Sequence, residues 1–183
     1  MKTPVKNLVP YATVLLVATL ASPLMAETNS SATKPELAVR AGSPELARGD
    51  RAFLEKASKA GMKEIDISQV VIDRLTHPEV KAVAEMMISD HTAANSELTS
   101  LAYRKGLTLP PDERSASEKW GKKTKDLDED YLKEMQDDHE DAVELFEKAM
   151  KSSDTDIALF AGKTLPALQH HLSMVKEARK AVK

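Results

Sequence analysis

Cysteine is absent from the sequence, which excludes disulfides, thiolate metal sites, thiol catalysis and a lipidated N-terminal cysteine together. Aromatic residues make up only 4% of the chain and there are only six glycines. A β-sandwich or barrel would need more aromatic and β-branched residues and more turn glycines, so both shortages argue against an all-β chain. There is no surplus of positive charge: the formal net charge is −3, so no basic surface argues for a nucleic-acid partner. A Gly-rich phosphate loop, a serine nucleophile elbow and a His-Glu-x-x-His motif are also missing. What is present is a chain of 183 residues, 42% hydrophobic, with Ala, Leu, Lys and Glu prominent. That is enough for one helical domain with a sizeable core.

The N-terminus has the order of a secretory leader. Lys2 and Lys6 precede an uncharged stretch from Asn7 to Ala26, whose apolar heart is Tyr11 to Leu20 and which ends in Ser22-Pro23-Leu24-Met25-Ala26. This predicts a signal peptide over residues 1–26, cleaved after Ala26. An uncleaved anchor is the rival reading, since about 20 apolar residues can just span a bilayer; Pro23 and the small-residue exit favour cleavage. Either way the body of the protein is expected outside the cytoplasm, periplasmic or secreted, with no firm membrane insertion once the leader is removed. Loss of Lys2 and Lys6 would take the net charge from −3 to −5. Residues 27–49, rich in Ser, Thr, Ala and Pro and without apolar periodicity, are expected to form a flexible linker, and residues 50–183 the folded domain.

Start and stop signals divide that domain into four long helices. The first is predicted from Asp50 to about Leu75, weakened at Gly61, before the break Thr76-His77-Pro78. The second starts with Pro78 in its first turn and stops at Gly106. After Pro110-Pro111 and a short helical piece around 113–122, the third runs from about Asp126 to Lys151. The fourth runs from Thr155, behind the capping Asp154, to Val182, with Pro166 expected to kink it. With mostly short connections, the expected fold is all-α, an up-and-down four-helix bundle.

Each helix carries an apolar stripe at steps of three and four. The first gives Phe53, Ala57, Ala60, Glu64, Ile67 and Val71; the second Val80, Ala84, Met87, His91, Ala94, Leu98 and Leu101. The third gives Leu132, Met135, His139, Ala142, Phe146 and Ala149; the fourth Ala161, Thr164, Leu168, His171, Val175, Ala178 and Val182. Every stripe has one strongly polar interruption near its midpoint: Glu64, His91, His139 and His171. Four mid-helix positions share a level in such a bundle, so these side chains are expected to meet in one layer. The second and third helices also repeat a unit, Met87-x-x-Asp90-His91-x-x-Ala94 and Met135-x-x-Asp138-His139-x-x-Ala142.

These residues carry a resemblance. Phe53, Gly61-Met62-x-Glu64 and Met87-x-x-Asp90-His91-Thr92-Ala93-Ala94-Asn95-x-Glu97-Leu98 resemble an exported bacterial family, domain of unknown function 4142, usually described as ferritin-like. Tyr131, Met135-x-x-Asp138-His139-Glu140 and Lys163-Thr164-Leu165-Pro166-x-Leu168-x-x-His171-Leu172 are similar to the rest of its pattern. The resemblance covers roughly residues 50 to 180 and implies a ferritin-like bundle in the periplasm or envelope. It implies no reaction.

Three imidazoles and a carboxylate suit one transition-metal ion, Zn²⁺, Cu²⁺, Ni²⁺ or Fe²⁺, with Asp90 and Asp138 orienting a histidine on a neighbouring helix. Met87 and Met135, one turn before His91 and His139, could add soft ligands, although methionine is a common filler of helical cores. The alternative is a buried polar network that fixes helix register in a non-enzymatic envelope structural or interaction module with a protein partner. A di-iron ferroxidase is disfavoured. That chemistry uses Glu-x-x-His on two helices, and the positions three before His91, His139 and His171 are Ile88, Gln136 and Leu168. His170 points about 100° away from His171, and His77 is expected to be a cap or loop residue.

Overall fold

The computed structural model describes residues 46–111 and 115–182, without the side chains of residues 115–117. The expected leader (1–26), and the expected linker as far as residue 45, lie outside these residues. Among the described residues every regular element is helical: α1 (Arg48–Val71), continued by a 3₁₀ turn (Ile72–Arg74), α2 (Pro78–Arg104), a short α3 (Ser115–Gly121), α4 (Leu127–Ala149) and α5 (Thr155–Ala181).

Local chemistry accounts for the ends. α1 starts two residues ahead of Asp50, which lies instead in its first turn, where a negative charge suits the helix dipole; it also accepts a 2.7 Å bond from Ser152 Oγ. Pro78 opens α2, where a missing N–H costs nothing. Gly106, at φ 72°, turns the chain out of α2 while Leu107 N donates back to Ala102 O at 2.9 Å, the left-handed closure that glycine permits. Asp154 caps α5, its side chain accepting from the amides of Asp156 and Ile157. Pro166 lies within α5, and the helix is continuous through it from Thr155 to Ala181.

Two apolar clusters divide the core. One joins Phe53 and Leu54 from the start of α1, Leu98 and Leu101 from the end of α2, Phe146 and Ala149 from the end of α4, and Ile157 and Phe160 from the start of α5. The other joins Ile67 and Val71, Val80 and Val83, Tyr131 and Leu132, and Val175 and Ala178 from the opposite ends of the same helices. Therefore α1 and α5 run one way and α2 and α4 the other. α1 packs on α2 and α4, and α5 packs on the same two helices, so each packed pair is antiparallel.

This corrects the up-and-down expectation. α4 does not reverse α2; the chain order is up, down, down, up, and the segment between α2 and α4 crosses the length of the domain. It leaves the first cluster at Leu107 and reaches the second at Trp120, which packs edge-on against Tyr131 at 6.4 Å between ring centres. Arg74 secures the crossing by donating from Nη1 to Trp120 O at 2.9 Å and from Nη2 to Lys123 O. The helix mid-levels still coincide, because packed neighbours remain antiparallel.

Candidate metal centre

Between the two clusters lies one polar layer. Glu64 of α1, His91 of α2, His139 of α4 and His171 of α5 all point into it, with 2%, 7%, 0% and 2% of their surface exposed. Buried polar groups at this depth need partners or a ligand. The three imidazole rings form a near-equilateral triangle, with centres 5.3–5.4 Å apart. Each offers a nitrogen, and these three atoms lie within 4.8 Å of one another. Glu64 touches two of the rings: Oε2 stands 2.9 Å from His91 Nε2, and Oε1 stands 3.4 Å from His139 Nδ1.

Hydrogen bonds assign the tautomers of two histidines. His139 Nδ1 lies 2.9 Å from the Met135 carbonyl one turn back, which can only accept, so Nδ1 carries a proton. His171 Nε2 lies 3.0 Å from Asp90 Oδ2, which assigns the proton of His171 to Nε2. If both rings are neutral, the two remaining nitrogens, His139 Nε2 and His171 Nδ1, each present a lone pair. These two nitrogens face each other at 3.3 Å. Burial holds both rings below the usual histidine pKa, that of His139 despite the Glu64 charge and that of His171 despite Asp90, which favours the neutral forms.

The Glu64–His91 contact is of a different kind. Burial alone would push the Glu64 carboxyl up, but His91, through its charge and its close contact, holds it below its usual value, with smaller contributions from His139 and His171. Burial likewise works against a charged His91, and Glu64 overrides it and raises the ring's pKa. Each thus favours the other's charged form in the metal-free protein, and His91 would have to release a proton to ligate an ion. The pair's 2.9 Å approach is not aligned as a hydrogen bond, and Glu64 Oε2 and His91 Nε2 are both buried without a hydrogen-bond partner. The contact is an attraction of charge, in which the two buried atoms are each other's partner.

The remaining residues singled out by the sequence separate. Asp90, half exposed, reaches His171 on α5. Asp138 reaches no histidine; both its oxygens accept from Lys63 Nζ at 2.8 Å, and Lys63 also pairs with Glu134 at 2.7 Å. Burial pushes the Asp138 carboxyl up to about 6, with Lys63 opposing, so the pair is formed at neutral pH. Met87 and Met135 are fully buried among the apolar side chains of the second cluster. His170 is exposed. His77 meets Asp128 where the starts of α2 and α4 come together, a contact no local signal in the sequence announces.

The family model described as "Domain of unknown function (DUF4142)" matches residues 35–178. The crystal structure of a DUF305 fragment from Deinococcus radiodurans is similar in fold, with a TM-score of 0.65 over 75% of this chain and 99% of that one, at 10% sequence identity. No curated protein matches the chain.

Proposed function

The chain belongs to the DUF4142 family, and from that premise we propose that it is a non-enzymatic binding protein for one transition-metal ion, held by His91, His139 and His171 with Glu64 as charge partner. The observation that carries this reading is the pair of facing imidazole nitrogens. Their outward N–H groups are engaged by the Met135 carbonyl and Asp90, and their inner nitrogens stand 3.3 Å apart. Metal–imidazole bonds of about 2.0–2.1 Å in a tetrahedral sphere place neighbouring ligand atoms roughly 3.3–3.4 Å apart. The donor set suits Zn²⁺, Cu²⁺, Ni²⁺ or Fe²⁺, and Asp90 orients His171 as an outer partner does in many metal sites. The carboxylates of a di-iron ferroxidase are missing, so the reading stops at binding.

We extend the reading to an exported protein with a ferritin-like four-helix bundle. Lys2, Lys6 and the apolar run to Ala26 support a cleaved leader. The single long crossover supports the ferritin-like connectivity. No described helix is long and apolar enough to cross a membrane. Metal handling or stress protection in the envelope is the role that fits these features together. The competing reading, a structural network serving a protein-interaction module, is favoured by one observation: the 3.3 Å His139–His171 contact becomes an ordinary hydrogen bond if either ring is charged.

The deciding experiment is metal analysis of protein purified without chelator, followed by titration of the metal-free form with the four ions. The metal reading expects near-stoichiometric metal in the wild type and its loss in His91→Ala and His139→Ala. No bound metal and no ion-induced stabilisation would leave the layer as a structural network.

A further inference from the structure

The predicted core stripes and the observed burial disagree at a few positions. Ala60, Ala94, Ala142 and Thr164 are stripe residues, yet each is only half buried. All four lie on the same side of the polar layer and line one cavity of about 50 Å³. Small residues recur at that level on every long helix: Gly61 precedes Glu64 by three, Ala94 and Ala142 follow their histidines by three, and Ala167 precedes His171 by four. On the other side of the layer the equivalent positions are Ile67, Met87, Met135 and Val175, all fully buried. The layer is therefore sealed on one side and open on the other.

The cavity is more than a gap left by small side chains. Its floor includes Glu64 and His91, whose Oε2 and Nε2 atoms are buried without a hydrogen-bond partner. Its volume is several times the roughly 10–15 Å³ that one water needs. Its walls are otherwise mostly apolar, from the alanines to Phe146, Phe160 and Leu168. Two of its lining residues, Asp90 of α2 and Ala167 of α5, are exposed, so the mouth opens at the seam between those helices.

We propose that this cavity receives a small exogenous ligand of two or three heavy atoms, diatomic or linear in the manner of dioxygen or azide, bound at the fourth position of the metal. The inference rests on the metal reading above. The mutual ligand set consists of three imidazoles, and three protein ligands leave one position of a tetrahedral ion open. Ile67, Met87, Met135 and Val175 fill the other side, so a fourth ligand would enter from the side of the alanines. The small, mostly apolar walls limit the ligand to a few heavy atoms.

The test uses Co²⁺, whose visible absorption reports its coordination, and sodium azide as the probe. The Co²⁺-loaded wild type should show a saturable spectral change with azide, one per metal. Ala94→Leu fills the cavity and Ala167→Leu, at an exposed position, closes its mouth without disturbing the core. Both should keep the wild-type Co²⁺ affinity and weaken azide at least tenfold. Bound Co²⁺ whose spectrum ignores azide, or azide affinity unchanged in both variants, would overturn the cavity proposal while leaving the metal reading intact. Failure of Co²⁺ to bind the wild type would overturn the metal reading and this proposal with it.

Discussion

Asp90 and Asp138 occupy identical places in a repeated unit, each directly before a histidine, and the structure gives them different work. Asp90 reaches His171 Nε2 at 3.0 Å while its side chain stays 49% exposed. Asp138 is taken by Lys63. The difference makes a test of positioning possible. Asp90→Asn keeps the shape but offers an amide that can present its N–H to His171 and reverse the ring's tautomer, putting the proton on the nitrogen that should face the metal. Loss of such outer partners typically lowers metal affinity by about 10–100-fold. We expect that loss in a metal titration of Asp90→Asn, with the urea midpoint of the metal-free protein little changed, because surface substitutions usually stay within about 0.5 kcal/mol. An equal loss in Asp138→Asn would argue that the effect is general charge removal.

Among the elements, α4 depends on a tie that no local pattern reveals. Asp128, in its first turn, accepts from Thr76 N at 3.1 Å, Thr76 Oγ1 at 2.7 Å and His77 N at 2.9 Å, so it binds the start of α4 to the turn before α2. Burial pushes its carboxyl up, but the His77 and Thr76 side chains and the two backbone amides outweigh burial and hold it below the usual aspartate value. Since the folded value lies below the unfolded one, Asp128 contributes its full stability above the unfolded pKa of about 3.9. That contribution fades as pH falls through the folded value. Asp128→Asn should cost about 1–3 kcal/mol at pH 7, and the gap between variant and wild type in urea unfolding should narrow below about pH 4. A pH-independent gap would mean that shape rather than charge is at work. The sequence shows His77-Pro78 as a helix start and Asp126 as another, but 51 positions separate His77 from Asp128, and helix signals say nothing about partners at that distance.

At the scale of the whole molecule, the polar layer sits between two apolar clusters, each drawing on all four long helices. The hydrophobic term is therefore already in place above and below the site, unlike in small metal domains that are unfolded without their ion. We expect metal-free protein to keep its helical circular dichroism and to unfold cooperatively. Added metal should raise the transition, by about 2.7 kcal/mol at a free concentration 100 times Kd. A metal-free chain without cooperative unfolding would show that the ion is needed for folding itself. The crossover belongs to this scale as well: Trp120 and Arg74 hold it along α1.

Periodicity by itself determined the helices, their buried faces and the one polar residue per stripe, because a 3.6-residue repeat fixes which side of each helix avoids water. Caps and breakers set the ends to within a few residues for the same local reason. Only the tertiary structure decided that α4 runs parallel to α2, since the direction of a returning helix depends on how a connection packs rather than on any repeat. The same holds for Asp90 and Asp138: which neighbouring helix a side chain meets follows from the order of helices around the core. Ala60, Ala94, Ala142 and Thr164 complete the contrast. Their spacing is that of core residues, and only the shortness of their side chains on facing helices turns that level into a cavity.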